Sequence, residues 1–186
     1  MRRSFPARPK RAGGVRIVSQ RRALEERLVA AGSPAVPRVR FFASGTPATK
    51  GSTVPFQDSQ GRMRVTNDNE RTAAWSERAG LLARAAGARP GLGPARAVVR
   101  IALLRPASHY GTGRNAGTLK ASAPRWPMSK PDVDKVVRAV LDALTFIAWV
   151  DDAQVVDLRV IKAFAATAAE EGVTVTIAPI REEAAA

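Results

Sequence analysis

The stretch KPDVDKVVRAVLDALTFIAWVDDAQVVD, residues 130–157, restricts the fold of this chain more than any other segment. Pro131 disfavours helix before it and suits a helix start just after it, because its ring fixes φ and removes an N–H that the first turn does not use. From there Val133, Val136, Val137, Val140, Leu141 and Leu144 recur at i, i+3, i+4, i+7, i+8 and i+11. That spacing predicts an amphipathic helix with one buried face. Asp134, Arg138 and Asp142 lie four residues apart and stack along the other side, and Asp132 stands at or just before the first helical residue. FIAWVDDAQ then leads into QVVDLRVIKAF, which predicts a strand: Val156, Leu158 and Val160 face one way, Asp157 and Arg159 the other. The connection is short and brings the acidic pair Asp151–Asp152, beside Phe146 and Trp149, back towards the start of that strand. Nothing in the spacing says whether Asp152 meets Asp132 and Asp134.

The remaining pattern supplies more strands and a second helix. RVRFFASG reads as a strand ending at Gly45, ARAVVRIALL as a strand from Val98 to Leu104, and GVTVTIAPI as a strand with Val173, Val175 and Ile177 on one face. NERTAAWSERAGLLARAAGA reads as a helix capped by Asn67 or Asn69, stopped by Gly87, with Trp75 in the core. DSQGR is a turn between two short extended pieces. Residues 105–130 form a long irregular stretch with five basic residues and no acidic one. A loop of that length inside a compact domain is often functional; a mobile flap facing a polyanion and a plain disordered insertion are both open readings. The folded domain is expected over residues 37–181, followed by a tail at 182–186. Residues 1–36 read as a basic, disordered extension in which SQRRALEERLVAAGS could form a short helix, with Ser19 as its cap and Gly32 as its stop.

Thirty Lys and Arg against 16 Asp and Glu give a formal charge of +14. A surplus of that size fits a nucleic-acid partner, although a well-solvated surface would look the same. Residues 1–40 hold 11 of the basic residues and only Glu25 and Glu26, so much of the charge belongs to the extension. The absence of cysteine excludes a disulfide scaffold, a Cys-zinc site and a thiol nucleophile; the single histidine, His109, excludes a multi-His metal site. No apolar run approaches the roughly 18 residues of a membrane span, and the basic N-terminus lacks the apolar stretch of a signal peptide. A soluble, cytoplasmic protein is expected.

The acidic residues of 130–157 suit one kind of chemistry. Mg²⁺ prefers carboxylate and water oxygens, and it can polarise a phosphoryl oxygen and activate a bound water. Asp132, Asp134 and Asp152, with Arg138 or Lys135 beside them, supply carboxylates for the ion and a cation for the transition-state charge. The plainer account is a helix cap at Asp132, a first-turn acid at Asp134, a surface ion-pair ladder along Asp134–Arg138–Asp142 and a solvated turn at Asp151–Asp152.

The pattern KPDVDK, then Arg138, LDALT and DDAQVVDLRVIK resembles the RusA family of Holliday junction resolvases, common in phages and prophages. SHYGTGRNAG, SAPRWPMSKPD and the early GTPATKGS also fit phage-type members, and the likeness covers roughly residues 38–180. The resemblance implies an α+β fold, a small mixed β-sheet packed with about two main helices, working as a homodimer. It implies Mg²⁺, with Mn²⁺ as a substitute, no small-molecule cofactor, no membrane, and paired symmetric cuts at a four-way DNA junction. It assigns the metal to Asp132, Asp134 and Asp152 and a supporting role to Asp151. Arg138 stands at the basic catalytic position, where the founding type has Lys. Arginine keeps the charge but is effectively always protonated, so it can steady a phosphate and cannot relay a proton. Lys135 stands where many members have Asn and can supplement it. Lys50, Arg114, Lys120, Arg125, Lys130 and Lys135 are candidate DNA contacts, as are Arg62 and Arg64. Tyr110 and Trp126 could stack on exposed bases, and Trp126 could equally pack in a core or dimer contact. Two other classes compete: a non-catalytic basic DNA-binding or architectural protein for branched DNA, and, more distantly, a D-x-D nucleotide-sugar transferase.

Overall fold

The computed structural model describes residues 12–49, 54–57, 60–66 and 70–180. Helix α1 (Ala12–Ala30) leads to strand β1 (Val39–Ser44), the hairpin strands β2 (Val54–Gln57) and β3 (Met63–Thr66), and helix α2 (Glu70–Ala85). Strand β4 (Ala95–Leu103), helix α3 (Val133–Leu144) and strands β5 (Val155–Phe164) and β6 (Gly172–Pro179) follow. The main sheet has the order β1-β6-β4-β5, and β2 and β3 pair separately. β6 is antiparallel to both β1 and β4, while β5 is parallel to β4. A mixed sheet with helices against it is the α+β fold expected.

Period-two patterning gives the sheet one buried face. Val39, Phe41 and Ala43 of β1, Val99, Ile101 and Leu103 of β4, and Val173, Val175 and Ile177 of β6 are all buried. Against them pack Trp75, Ala79 and Ala83 of α2, four residues apart, and Val136, Ala139, Val140 and Leu144 of α3. The helical face predicted from 133 to 144 is thus the one that packs, except that Val133, in the first turn, stays partly exposed. Gly87, at φ +93°, ends α2 in the left-handed region that favours glycine, and the Ala88 N–H closes the helix onto Ala83 O.

Two parallel strands cannot be joined by a hairpin, so the chain from β4 to β5 must cross over. That crossover contains residues 104–132 and α3. The loop is less open than its sequence suggests. Tyr110 pairs with Leu119 and Gly111 with Ala116, Lys120 Nζ donates to Ser108 O, and Arg105 Nη1 donates to Pro124 O. Arg105 also lies 4.0 Å over the Phe164 ring, whose edge meets His109. His109 is therefore a packing residue of the loop. The helix in the N-terminal segment starts at Ala12, seven residues before the expected cap at Ser19, and runs through Gly13 and Gly14. Residues Asn67 and Asn69, the expected caps of α2, lie outside the described residues.

Candidate functional site

Asp132 caps α3 through its backbone, with Val136 N–H donating to Asp132 O at 3.2 Å. Its side chain makes no cap hydrogen bond; it pairs with Lys135 Nζ at 3.3 Å. Asp132, Lys135 and Lys130 line a small groove of about 340 Å³ closed on its other side by Thr46, Pro47 and Thr49. Asp134, two residues on, faces a different, larger groove of about 640 Å³ between α3 and β5. Val133, Val137 and Leu141 on one wall and Leu158 and Val160 on the other make its apolar lining, and Asp134, Arg138 and Asp152 are its charged groups. The alternation read along 155–160 explains this: Leu158 and Val160 point to α3, while Asp157 turns to the opposite face, where Arg96, its neighbour on β4, holds it.

The acid pair before β5 is fixed by a dense set of bonds. Asp151 Oδ1 accepts from Ala153 N–H at 2.9 Å, and Gln154 Oε1 accepts from Val150 N–H at 2.8 Å and Asp151 N–H at 3.2 Å. Gln154 Nε2 donates to Gly91 O at 3.1 Å and Gly93 O at 3.0 Å. All four hydrogen-bonding positions of that amide are used. Beneath it Trp149 is fully buried, and Phe146, at φ +63°, returns the chain with its N–H donating to Trp149 O at 2.8 Å. The other acidic segment has its own anchor. Lys162 Nζ donates to Ser129 O at 2.8 Å and Pro131 O at 3.1 Å, gripping the backbone just ahead of Asp132.

Neither Gln154 nor Lys162 stood out in the sequence, since each looks like an ordinary strand residue. Nor did Arg21. From α1, Arg21 Nη1 reaches Asp151 Oδ2 at 2.6 Å while Arg21 Nε holds Glu25 at 3.0 Å. Glu25, then Asp151 and Asp152, raise the Arg21 pKa further above its ordinary value, so the guanidinium stays charged. A residue placed in an appendage by the sequence thus sits on the acidic turn.

These anchors also set how far apart the acids lie. Lys162 is seven residues along from Val155, where β5 begins, on a strand that rises about 3.3 Å per residue, and Asp152 lies just before that start, so the start of α3 and the Asp151–Asp152 turn sit towards opposite ends of β5. Among the described residues no three acidic or histidine side chains gather as a metal ion would need. The carboxylates are the right donors for Mg²⁺, but Asp132, Asp134 and Asp152 of one chain do not form one three-carboxylate centre.

Of the other sequence candidates, Arg114 and Lys120 lie exposed on the folded loop, and the Arg125 guanidinium sits 5.6 Å over the ring of Trp126. Trp126 is 47 % exposed and Trp75 is buried, so only the first is available to a ligand. Lys130 and Lys135 share the small groove with Asp132. Lys50 and the side chain of Arg64 lie outside the described residues.

Comparison with known families decides the relationship. The family described as Endodeoxyribonuclease RusA matches residues 48–178, well over half of the chain, and the matched span includes both acidic segments and every residue of the larger groove. The chain belongs to the RusA endodeoxyribonuclease family. The match leaves α1 and β1 outside it. A shorter likeness, 56 % identical over 36 residues, links the chain to the uncharacterized protein YqaN of Bacillus subtilis (strain 168); it covers 19 % of this chain and 25 % of that relative. RusA membership makes the chain kin to DNA-cutting hydrolases, and no helix among the described residues is long and apolar enough to cross a membrane.

Proposed function

We propose that this RusA-family chain is a Mg²⁺-dependent, structure-selective endonuclease that resolves four-way DNA junctions by paired symmetric cuts, in recombination and repair. The observation that carries the reading is the family match across a groove whose charged groups are Asp134, Arg138 and Asp152. Arg138 is a fixed cation beside two carboxylates, suited to steady charge on phosphoryl oxygens. Lys130 and Lys135, in the adjoining groove, are suited to the flanking phosphates. Arg114, Lys120, Arg125 and Lys50 extend that contact. The enzyme works in the cytoplasm of a bacterial host and is phage or prophage encoded.

The metal is assigned to Asp132, Asp134 and Asp152, with Mn²⁺ as substitute; when bound, it supplies Lewis-acid polarisation of the phosphate. The spread of these acids along β5 supports a homodimer, in which the partner subunit's Asp152 completes the set begun by Asp132 and Asp134. β5 is an edge strand on which Val156 and Leu158 stay exposed, which suits contact with another copy. The same spread also favours a second reading, in which a lone chain binds branched DNA without cutting it.

A synthetic four-way junction incubated with Mg²⁺ or with EDTA, and resolved on a denaturing gel, separates the two. Paired nicks only with Mg²⁺ are expected. Asp134→Asn should keep junction binding within about twofold and lose cutting by at least about 10²-fold, the scale of removing an electrostatic or metal-holding group from such a site. Wild-type cutting by that variant, or cutting in EDTA, would overturn the assignment.

A further inference from the structure

The sheet has a second face, which α2 and α3 do not cover. Its side chains form a grid because residues in register across strands share a face. One row runs Arg40, Thr176, Val98, Arg159 from β1 to β5; the next runs Phe42, Thr174, Arg100, Ile161; a third places Arg96 beside Asp157. Arg40, Arg96, Arg100 and Arg159 are all exposed, as are Phe42 and Ile161. Asp157 is the only acidic residue on these rows, and it is already held by Arg96 and, at 3.5 Å, by Arg159. No carboxylate partner is described for Arg40 or Arg100.

We propose that this open sheet face is a second DNA-docking surface, one that grips the phosphate backbone of a duplex arm away from the acidic grooves. It rests on the DNA-acting reading above. Strands lie about 4.8 Å apart, so Arg40 and Arg159, three strands apart, stand roughly 14 Å from one another. Arg96 and Arg100, four residues apart on β4, are roughly 13 Å apart. The face therefore offers cations over a flat area with a side of about 14 Å, wide enough to meet several phosphates of one arm. Thr174 and Thr176, between the arginines, are neutral donors of the kind that bond phosphate oxygens without reading bases. The occupant is thus sequence-independent: backbone contacts fix an arm and leave selectivity to the junction's shape. The rows carry four arginines against the single carboxylate of Asp157, a charge balance that suits a polyanion.

The test measures binding in EDTA, so that it is read whether or not the protein cuts. Binding of a fluorescent four-way junction is titrated at several salt concentrations for wild type, for Arg40→Gln/Arg100→Gln and for Arg40→Glu/Arg100→Glu. Both residues point to solvent, and the Gln pair keeps the stem length, so folding is not at stake. Loss of two phosphate contacts should lower the slope of log K against log salt by about 1.8 and weaken binding roughly tenfold near physiological salt. Cutting at saturating junction with Mg²⁺ should keep its wild-type rate. Arg84→Gln/Arg89→Gln, an equal loss of charge from exposed arginines off this face, should leave the slope within about 0.3 of wild type. An unchanged slope in the Arg40/Arg100 pairs overturns the proposal, and if their sedimentation changes instead, the face belongs to a second copy. A slope that falls equally in the Arg84/Arg89 control also overturns it, since net charge alone then explains the effect. Loss of cutting by wild type would sink the nuclease reading and leave this slope readable.

Discussion

Gly91 is the point at which the acidic turn, the core and the chain before β1 meet, and Gly91→Ala tests whether that junction is rigid. A methyl placed there would lie 2.4 Å from Val36 N, 2.5 Å from Ala35 C and 2.7 Å from Ala35 O. These are backbone atoms, so no side-chain rotation relieves the clash. Either residues 35–36 move out, which unseats the buried Val36 and strains the Leu92 N–H to Pro34 O bond, or Gly91 moves in, which disturbs its carbonyl's bond from Gln154. Overpacking of this kind costs about 1–3 kcal/mol, and a lost hydrogen bond adds about 1 kcal/mol. With a urea m-value of about 2 kcal/mol per M, a total of 2–4 kcal/mol lowers the unfolding midpoint by about 1–2 M. Tryptophan fluorescence in a urea titration reads this directly, because Trp149 is buried next to the junction and bridges to Gly91. Gly93→Ala is the matched control: a methyl there meets nothing within 4 Å, and its φ of +88° carries only the left-handed penalty of about 1–2 kcal/mol. A Gly91→Ala midpoint equal to wild type, or higher than that of Gly93→Ala, would refute the reasoning.

Two further outcomes follow from the anchors. Lys162→Met keeps the aliphatic stem but removes both donors to the segment before Asp132; the Mg²⁺ concentration for half-maximal cutting should rise by about tenfold while junction affinity stays put, and Lys162→Arg should restore most of the loss, whereas an unshifted Mg²⁺ curve would show that the anchor does nothing for the acids. Asp157 has its pKa lowered, chiefly by the hydrogen bond from Arg96 and then by the charges of Arg96 and Arg159. A carboxylate depressed in the folded state stabilises above its unfolded pKa of about 3.9 and loses that contribution as pH falls through the folded value. Asp157→Asn should therefore flatten the acid limb of a stability-against-pH curve below about pH 4 and be nearly silent in slope above pH 6; an identical acid limb would dismiss the pair as a stabilising contact.

Much of this architecture was legible because it depends on local period. The helix over 133–144 and the alternation along 155–160 are written in apolar spacing, and each came out on the face expected. The left-handed stop at Gly87 was legible for the same reason: one residue type fits one backbone geometry. Contacts between distant segments carry no such periodic mark. Arg21 and Asp151 are 130 positions apart, and the sequence around Arg21 reads as any basic helix. Gln154 shows its importance only when Gly91 and Gly93 are brought to its amide. The resemblance drew three acids together as a set, yet their separation along β5 depends on which strands pair and in which direction, and neighbouring letters do not encode that.

The RusA match begins at residue 48, whereas β1 ends at Ser44. The matched span and the cooperative unit therefore have different borders. β1 covers the outer edge of β6 along six paired residues and seals the core with Val39, Phe41 and Ala43. A fragment cut at the family's border would bare a hydrophobic strand edge, the template on which chains stack into aggregates. The smallest piece that folds as a unit must therefore reach upstream of residue 48 and include β1. Because β1 also carries Arg40 and Phe42 onto the open face, variation there can retune what the sheet touches while the acidic grooves stay as they are.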